Sequence, residues 1–122
     1  MTIIDIVNIL LALATIGFGA AGWLAPAWTM EKVGLADTGS TMGTSEVRAA
    51  SGALFVVAGL AAILIGTPVA YGMLGFVWLG GALGRATSLA LDGTSTRKWG
   101  FFATEIGTGA ALVILNLWLV PA

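Results

Sequence analysis

Residues 69–91 read VAYGMLGFVWLGGALGRATSLAL, a stretch of 23 residues in which Arg85 is the only charged side chain. About 20 consecutive apolar residues in a helix suffice to cross the hydrocarbon core of a bilayer. A charge inside such a span is costly and needs a partner or a purpose. The stretch therefore predicts a transmembrane helix and singles out Arg85 as a residue that needs an explanation.

Three further apolar segments predict three more spans, at about residues 6–24, 45–66 and 101–120. Between the first two, residues 26–34 read PAWTMEKVG, and a leading proline with a closing glycine favours a short interfacial helix. Ser45 is the predicted N-cap of the second span. The predicted fold is all-α, a single integral membrane domain over residues 1–122. It is an antiparallel bundle of four transmembrane helices with a short interfacial segment between helices one and two.

The composition excludes several classes of protein. Hydrophobic residues make up 58% of the chain and charged residues 9%, whereas an ordinary soluble domain has about 25% charged residues. The sequence contains no Cys and no His, which excludes disulfides and the thiolate or imidazole ligands of most metal and haem sites. A net charge of −1 without a basic run opposes nucleic-acid binding. We therefore expect no cofactor, no metal site and no nucleic-acid partner.

The basic residues predict an orientation. Four of them fall on the side of the first and third connections: Lys32, Arg48, Arg97 and Lys98. By the positive-inside rule, the loops at residues 25–45 and 92–100 face the cytoplasm, and both termini face the periplasm. The expected location is the bacterial inner membrane, crossed four times.

Small residues recur on one side of two predicted helices. They are Gly52, Gly59 and Gly66 in helix two, and Gly80, Gly84 and Ser88 in helix three. Such faces let helix backbones approach closely, so we expect both to serve packing within the bundle. Asn8 and Asn116 both fall toward the outer side, and their amides are predicted to bond to each other.

The charged residues near the cytoplasmic side predict a buried ionic cluster. Helices three and four run antiparallel from one loop, so Arg85 and Glu105 come to a comparable depth and form the natural ion pair. The predicted cluster, which is also the candidate ligand site, contains Glu46, Arg48, Arg85, Ser88, Asp92 and Glu105. Three roles are open for it: joining helices, binding an anionic head group at Arg48 and Arg85, and proton or ion transfer through Glu105.

The charged positions also carry a family resemblance. The pattern consists of Glu46-Val47-Arg48 with Ser51-Gly52, Leu83-Gly84-Arg85 with Ser88 and Asp92-Gly93, and a Phe-rich helix start before Glu105. It resembles an uncharacterised bacterial domain-of-unknown-function family of small four-helix membrane proteins, over nearly the whole chain. The resemblance implies a four-helix membrane fold with these charged residues as its signature, and it implies no activity.

The function predicted from sequence is non-catalytic. With no Cys, no His and no Ser or Thr beside an evident base, we do not expect an enzyme. The favoured hypothesis is an accessory or assembly subunit that packs against a larger membrane complex, respiratory or photosynthetic, with membrane lipids and other subunits or further copies of itself as partners. The first alternative is a lipid- or isoprenoid-binding protein that uses the Arg/Glu cluster, and the second is a small oligomeric transporter or channel.

Overall fold

A computed structural model describes residues 1–119 as five α-helices without a β-strand in that range. The helices are α1 (Ile3–Leu24), α2 (Pro26–Val33), α3 (Met42–Ile65), α4 (Pro68–Leu91) and α5 (Thr96–Trp118). All except α2 are long and apolar enough to cross a membrane. The predicted fold class is confirmed at this level, as an all-α chain with four candidate spans. The antiparallel four-helix bundle stays a prediction.

The short helix α2 lies where the sequence predicts a short helix between the first two long ones. Pro26 occupies its first turn, where a missing N–H is tolerated. Gly34 ends it with a φ of 80°, a left-handed conformation that favours glycine. On its exposed side the Lys32 ammonium lies 5.9 Å from the centroid of the Trp28 ring, one turn away.

Two helix starts differ from the prediction. Ser45 was the predicted N-cap of the second span, but the N-cap is Thr41, four residues earlier, and α3 begins at Met42. The reason is a tertiary hydrogen bond: the Asp37 carboxylate accepts from the Thr44 backbone N–H at 2.8 Å and so supplies a cap from the preceding loop. α5 begins at Thr96 instead of Phe101, because the Ser95 hydroxyl accepts from the Lys98 N–H at 3.1 Å. The connection before α5 is therefore residues 92–95.

The chain divides into two compact units. The first is residues 9–64, which hold most of α1, all of α2 and nearly all of α3. The second combines residues 1–8 with the chain from residue 65 onward, which includes α4 and α5.

In the first unit, α1 and α3 pack antiparallel through glycines. A Cβ built on Gly19 would lie 2.6 Å from the Gly52 carbonyl oxygen, and one on Gly59 would lie 2.9 Å from the Ala12 carbonyl oxygen. Neither distance leaves room for a side chain. The close approach predicted for Gly52 and Gly59 is confirmed, whereas Gly66 serves the turn after α3 with a φ of 70°.

The middle of α3 departs from regular α-helix. Residues Ala49–Ala53 form a π-helical segment, and within it Gly52 has non-helical angles of φ −119° and ψ −106°. A Cβ on Gly52 would lie 2.7 Å from the Trp23 backbone nitrogen. This segment therefore brings the α3 backbone directly onto the end of α1.

In the second unit, α4 and α5 also pack antiparallel. A Cβ on Gly75 would meet the Leu112 Cβ at 2.8 Å, and one on Gly109 would meet the Leu79 side chain at the same distance. These glycines carry the contact that was predicted for Gly80 and Gly84. That prediction is wrong, because both Gly80 and Gly84 are exposed.

A buried amide pair links the start of the chain to α5 inside the second unit. Asn8 Nδ2 donates to Asn116 Oδ1 at 2.7 Å, and Asn116 Nδ2 donates to Asn8 Oδ1 at 2.7 Å. Asn116 also donates to the Leu112 carbonyl at 2.8 Å. The predicted bond between the two amides is confirmed, and it satisfies polar groups that are 3% and 1% exposed.

Candidate functional site

The central feature of the second unit is the ion pair between α4 and α5. Arg85 Nε lies 3.0 Å from Glu105 Oε1, and Arg85 Nη2 donates to Oε2 at 3.4 Å. The arginine side chain is 36% exposed and the glutamate 14%. Arg85 Cζ also lies 5.1 Å from the centroid of the Phe101 ring, a cation–π contact. The predicted pairing of Arg85 with Glu105 is confirmed as a two-point interaction.

Local sequence explains why the two side chains meet. Arg85 lies six residues before the end of α4 and Glu105 nine residues after the start of α5, or about 9 and 13 Å into their helices. Gly81, one turn before Arg85, leaves the space that the carboxylate occupies. A Cβ there would lie 2.6 Å from Glu105 Oε2. The similar depths of Arg85 and Glu105 and the space left at Gly81 together place the carboxylate against the guanidinium.

The other two predicted members in this unit stay outside the pair. Asp92 is exposed, and its backbone N–H donates to the Ser88 carbonyl to close the last turn of α4. Within residues 1–119 the one salt bridge is Arg85–Glu105, so Asp92 adds no ionic contact there. The ionic cluster in the second unit is thus a single ion pair flanked by Phe101.

Arg48 and Glu46 belong to the first unit, and both are exposed. Arg48 Nη1 donates to the Trp23 carbonyl oxygen at 2.7 Å and so satisfies one of the open carbonyls at the end of α1. Glu46 makes no salt bridge among the described residues. One shared site for these two residues with Arg85 and Glu105 spans the two units and stays a prediction.

A cavity of about 480 Å³ opens beside Arg48. Its lining comes entirely from the first unit: Trp23, Thr41, Thr44, Ser45, Arg48, Ala49 and Ala53. Of these, only Arg48 was predicted from the sequence as a site residue. The spacing of Thr41, Ser45, Arg48 and Ala49 is a signal that could have found half of the others, because positions i, i+4, i+7 and i+8 share a helix face.

The loop before α3 is fixed beside this cavity by Asp37. Its carboxylate accepts from the Thr44 N–H at 2.8 Å and from the Thr44 hydroxyl at 2.7 Å. These two bonds hold the pKa of the Asp37 carboxyl below its ordinary value, because they stabilise the charged form. The start of α3 thereby has a defined position relative to the rest of the first unit.

The described residues do not form a candidate metal site. Residues 1–119 contain no group of three or more Asp, Glu, His or Cys side chains close enough to hold a metal ion. The arrangement offers instead one ion pair between two helices and one arginine at an open cavity.

The comparisons with known proteins give a family and no activity. The model of a family described as a domain of unknown function, DUF4345, matches residues 3–119. The chain belongs to this family. The predicted resemblance to an uncharacterised family is thereby confirmed over nearly the whole chain. No curated protein and no solved structure matches the chain significantly.

Proposed function

We propose that this DUF4345 member is a non-catalytic membrane subunit that docks onto a larger membrane complex through the outer face of α4. The observation that carries the proposal is the exposure of Gly80 and Gly84, four residues apart in a candidate span. Small residues at this spacing let a second transmembrane helix approach closely, and packing of that kind drives helix association in lipid.

The rest of this face is suited to such a contact. Leu83, between the two glycines in sequence, is 72% exposed, and Phe76, one turn before Gly80, is 49% exposed. The Thr87 hydroxyl donates to the Leu83 carbonyl at 2.9 Å, which satisfies its polar hydrogen inside its own helix. The face therefore combines a flat glycine surface with apolar edges, and its Thr87 hydroxyl is already bonded within the helix.

The non-catalytic assignment is supported by how the polar groups are used. The Glu105 carboxylate accepts from Arg85, and the Thr87 hydroxyl is bonded to its own helix. A base and a nucleophile that are already occupied are poorly placed for acid–base or covalent chemistry.

We further propose the bacterial inner membrane as the location and an antiparallel four-helix bundle as the arrangement. The connections at residues 25–41 and 92–95 would face the cytoplasm and both termini the periplasm. Lys32, Arg97 and Lys98 support this orientation, because they lie in or beside those two connections.

The docking face is tested by substitutions that fill it. We expect Gly80→Leu combined with Gly84→Leu to release the protein from its complex during purification in a gentle detergent, because two leucine side chains would keep the partner helix away. Gly107→Leu is the matched control, since Gly107 is an exposed glycine of α5 with open space where a Cβ would stand. Equal retention of partner subunits by both variants would contradict the assignment of this face.

A further inference from the structure

The cavity beside Arg48 has two chemically different ends. Thr41, Ser45 and Arg48 supply hydroxyl and guanidinium groups at one end. Ala49 and Ala53 follow along the same helix toward the apolar middle of α3 and supply only methyl groups. A molecule that fits such a space has a polar head and an apolar tail.

The polar end carries a positive charge that no carboxylate of the described residues neutralises. Arg48 makes one hydrogen bond, from Nη1 to the Trp23 carbonyl, and forms no salt bridge within residues 1–119. A guanidinium has five N–H donors in a planar fork, so the others remain for a ligand. That fork matches the oxygens of a phosphate.

Two hydroxyls beside the guanidinium are open as well. The side chains of Thr41 and Ser45 make no hydrogen bond within the described part of the chain. Thr44, by contrast, donates its hydroxyl hydrogen to Asp37. No acidic side chain lines the cavity, so the lining would attract an anion.

The position of the cavity in the chain indicates where the ligand comes from. It lies where α1 ends and α3 begins, at the edge of two apolar helices that are each long enough to span a bilayer. Trp23, which is 43% exposed, is the aromatic residue typical of the interfacial layer. Phosphate head groups of membrane lipids occupy this layer.

We infer that the cavity binds the anionic phosphate head group of a membrane lipid. Arg48, Thr41 and Ser45 bind the phosphate oxygens, and one alkyl chain lies along Ala49 and Ala53. This site is separate from the α4 docking face and does not depend on it.

The test measures lipid binding to the full-length protein by native mass spectrometry from detergent micelles. The micelles contain either phosphatidylglycerol or phosphatidylcholine with the same acyl chains. We expect saturable binding of phosphatidylglycerol and at least about tenfold weaker binding of phosphatidylcholine. Arg48→Gln should weaken phosphatidylglycerol binding by about tenfold, the effect of losing one charge-assisted hydrogen bond. Equal binding of the two lipids would overturn the inference.

Two further variants make the test specific. Arg97→Gln removes the same charge from an exposed position outside the cavity and should leave lipid binding unchanged. An equal loss in Arg97→Gln and Arg48→Gln would show nonspecific attraction and overturn the site. Thr41→Val with Ser45→Ala leaves the Arg48–Trp23 bond in place and should weaken binding several-fold, so the test holds even if Arg48→Gln fails to fold.

A soluble competitor separates the lipid from a free phosphate ester. Glycerol 3-phosphate presents the same phosphate chemistry without an alkyl chain. We expect millimolar glycerol 3-phosphate to leave bound phosphatidylglycerol in place. Displacement at low concentration would show that the site takes soluble phosphate esters and would overturn the assignment to lipid.

Discussion

The Arg85–Glu105 pair illustrates how one charged residue in an apolar helix constrains a residue in the neighbouring helix. The guanidinium meets the carboxylate at 3.0 Å, and the carboxylate is the more buried partner, at 14% exposure. In a low-dielectric environment, a carboxylate left without its partner destabilises the fold by more than the intact pair stabilises it. The pair should therefore respond differently to single and double substitution.

We expect Arg85→Leu to lower the free energy of unfolding by about 2 kcal/mol, less than the roughly 3–5 kcal/mol of a fully buried pair because Arg85 is partly exposed. Arg85→Leu with Glu105→Leu should be less destabilising than the single change, because no lone charge remains. Reversible unfolding in mixed micelles measures both, and Arg97→Leu serves as an exposed control without a salt bridge. Equal destabilisation by the single and double variants would exclude a stabilising role for the pairing.

Residue pairing was predictable where two side chains recognise each other. The pairing of Arg85 with Glu105 was predicted from their comparable depth in two antiparallel helices. The pairing of Asn8 with Asn116 was predicted because both lie toward the same end of their helices. The bond from Arg48 to the Trp23 carbonyl was not, because every residue carries a backbone carbonyl and the sequence does not mark which one is open. The cavity beside Arg48 was also missed, because its lining combines one face of α3 with Trp23 from α1, and local spacing does not indicate which helices meet.

At the scale of helices, the π-helical segment of α3 decides how α1 and α3 fit. Two backbone atoms of Trp23 in α1 lie within 3 Å of the place where a Gly52 Cβ would stand, the nitrogen at 2.7 Å and the Cα at 2.9 Å. Backbone atoms of packed helices cannot rotate away as a side chain can. The close approach therefore requires glycine.

Gly52→Ala should destabilise the protein by about 1–3 kcal/mol, the usual cost of overpacking. Gly17→Ala is the control in α1, because open space surrounds its Cβ position and alanine favours a helix by about 0.5–1 kcal/mol over glycine. The same unfolding assay compares them. If Gly52→Ala left the free energy of unfolding unchanged, the backbones of α1 and α3 would not approach as closely as described.

Helix existence was predictable and helix ends were not. Length and apolar composition predict all four long helices, since few other structures satisfy backbone polar groups in such sequences. The start of α3 depends on Asp37, a cap provided from outside the helix, and no local rule for Ser45 detects it. The exposure of Gly80 and Gly84 was also missed, because equal spacing does not tell which face of a helix meets a neighbour.

For the whole molecule, the proposed orientation makes a labelling prediction. The sequence has no Cys, so single-cysteine variants report one position each. In spheroplasts, a membrane-impermeant maleimide should label Val69→Cys, near the connection between α3 and α4, and leave Thr94→Cys unlabelled until the membrane is permeabilised. The reverse pattern would place both termini in the cytoplasm.

For the whole molecule, function is the property that the sequence predicts least well. Membership of a family without a known activity does not indicate a reaction or a ligand. A docking function would be visible in a single chain only as an exposed face, such as the one that contains Gly80 and Gly84. We propose that another protein covers this face in the native membrane.

The most direct test is the mass of the wild-type assembly, purified from its native membranes in a gentle detergent and measured by native mass spectrometry. We expect stoichiometric recovery with subunits of a larger membrane complex. Recovery of the chain alone, or only with copies of itself, would contradict it.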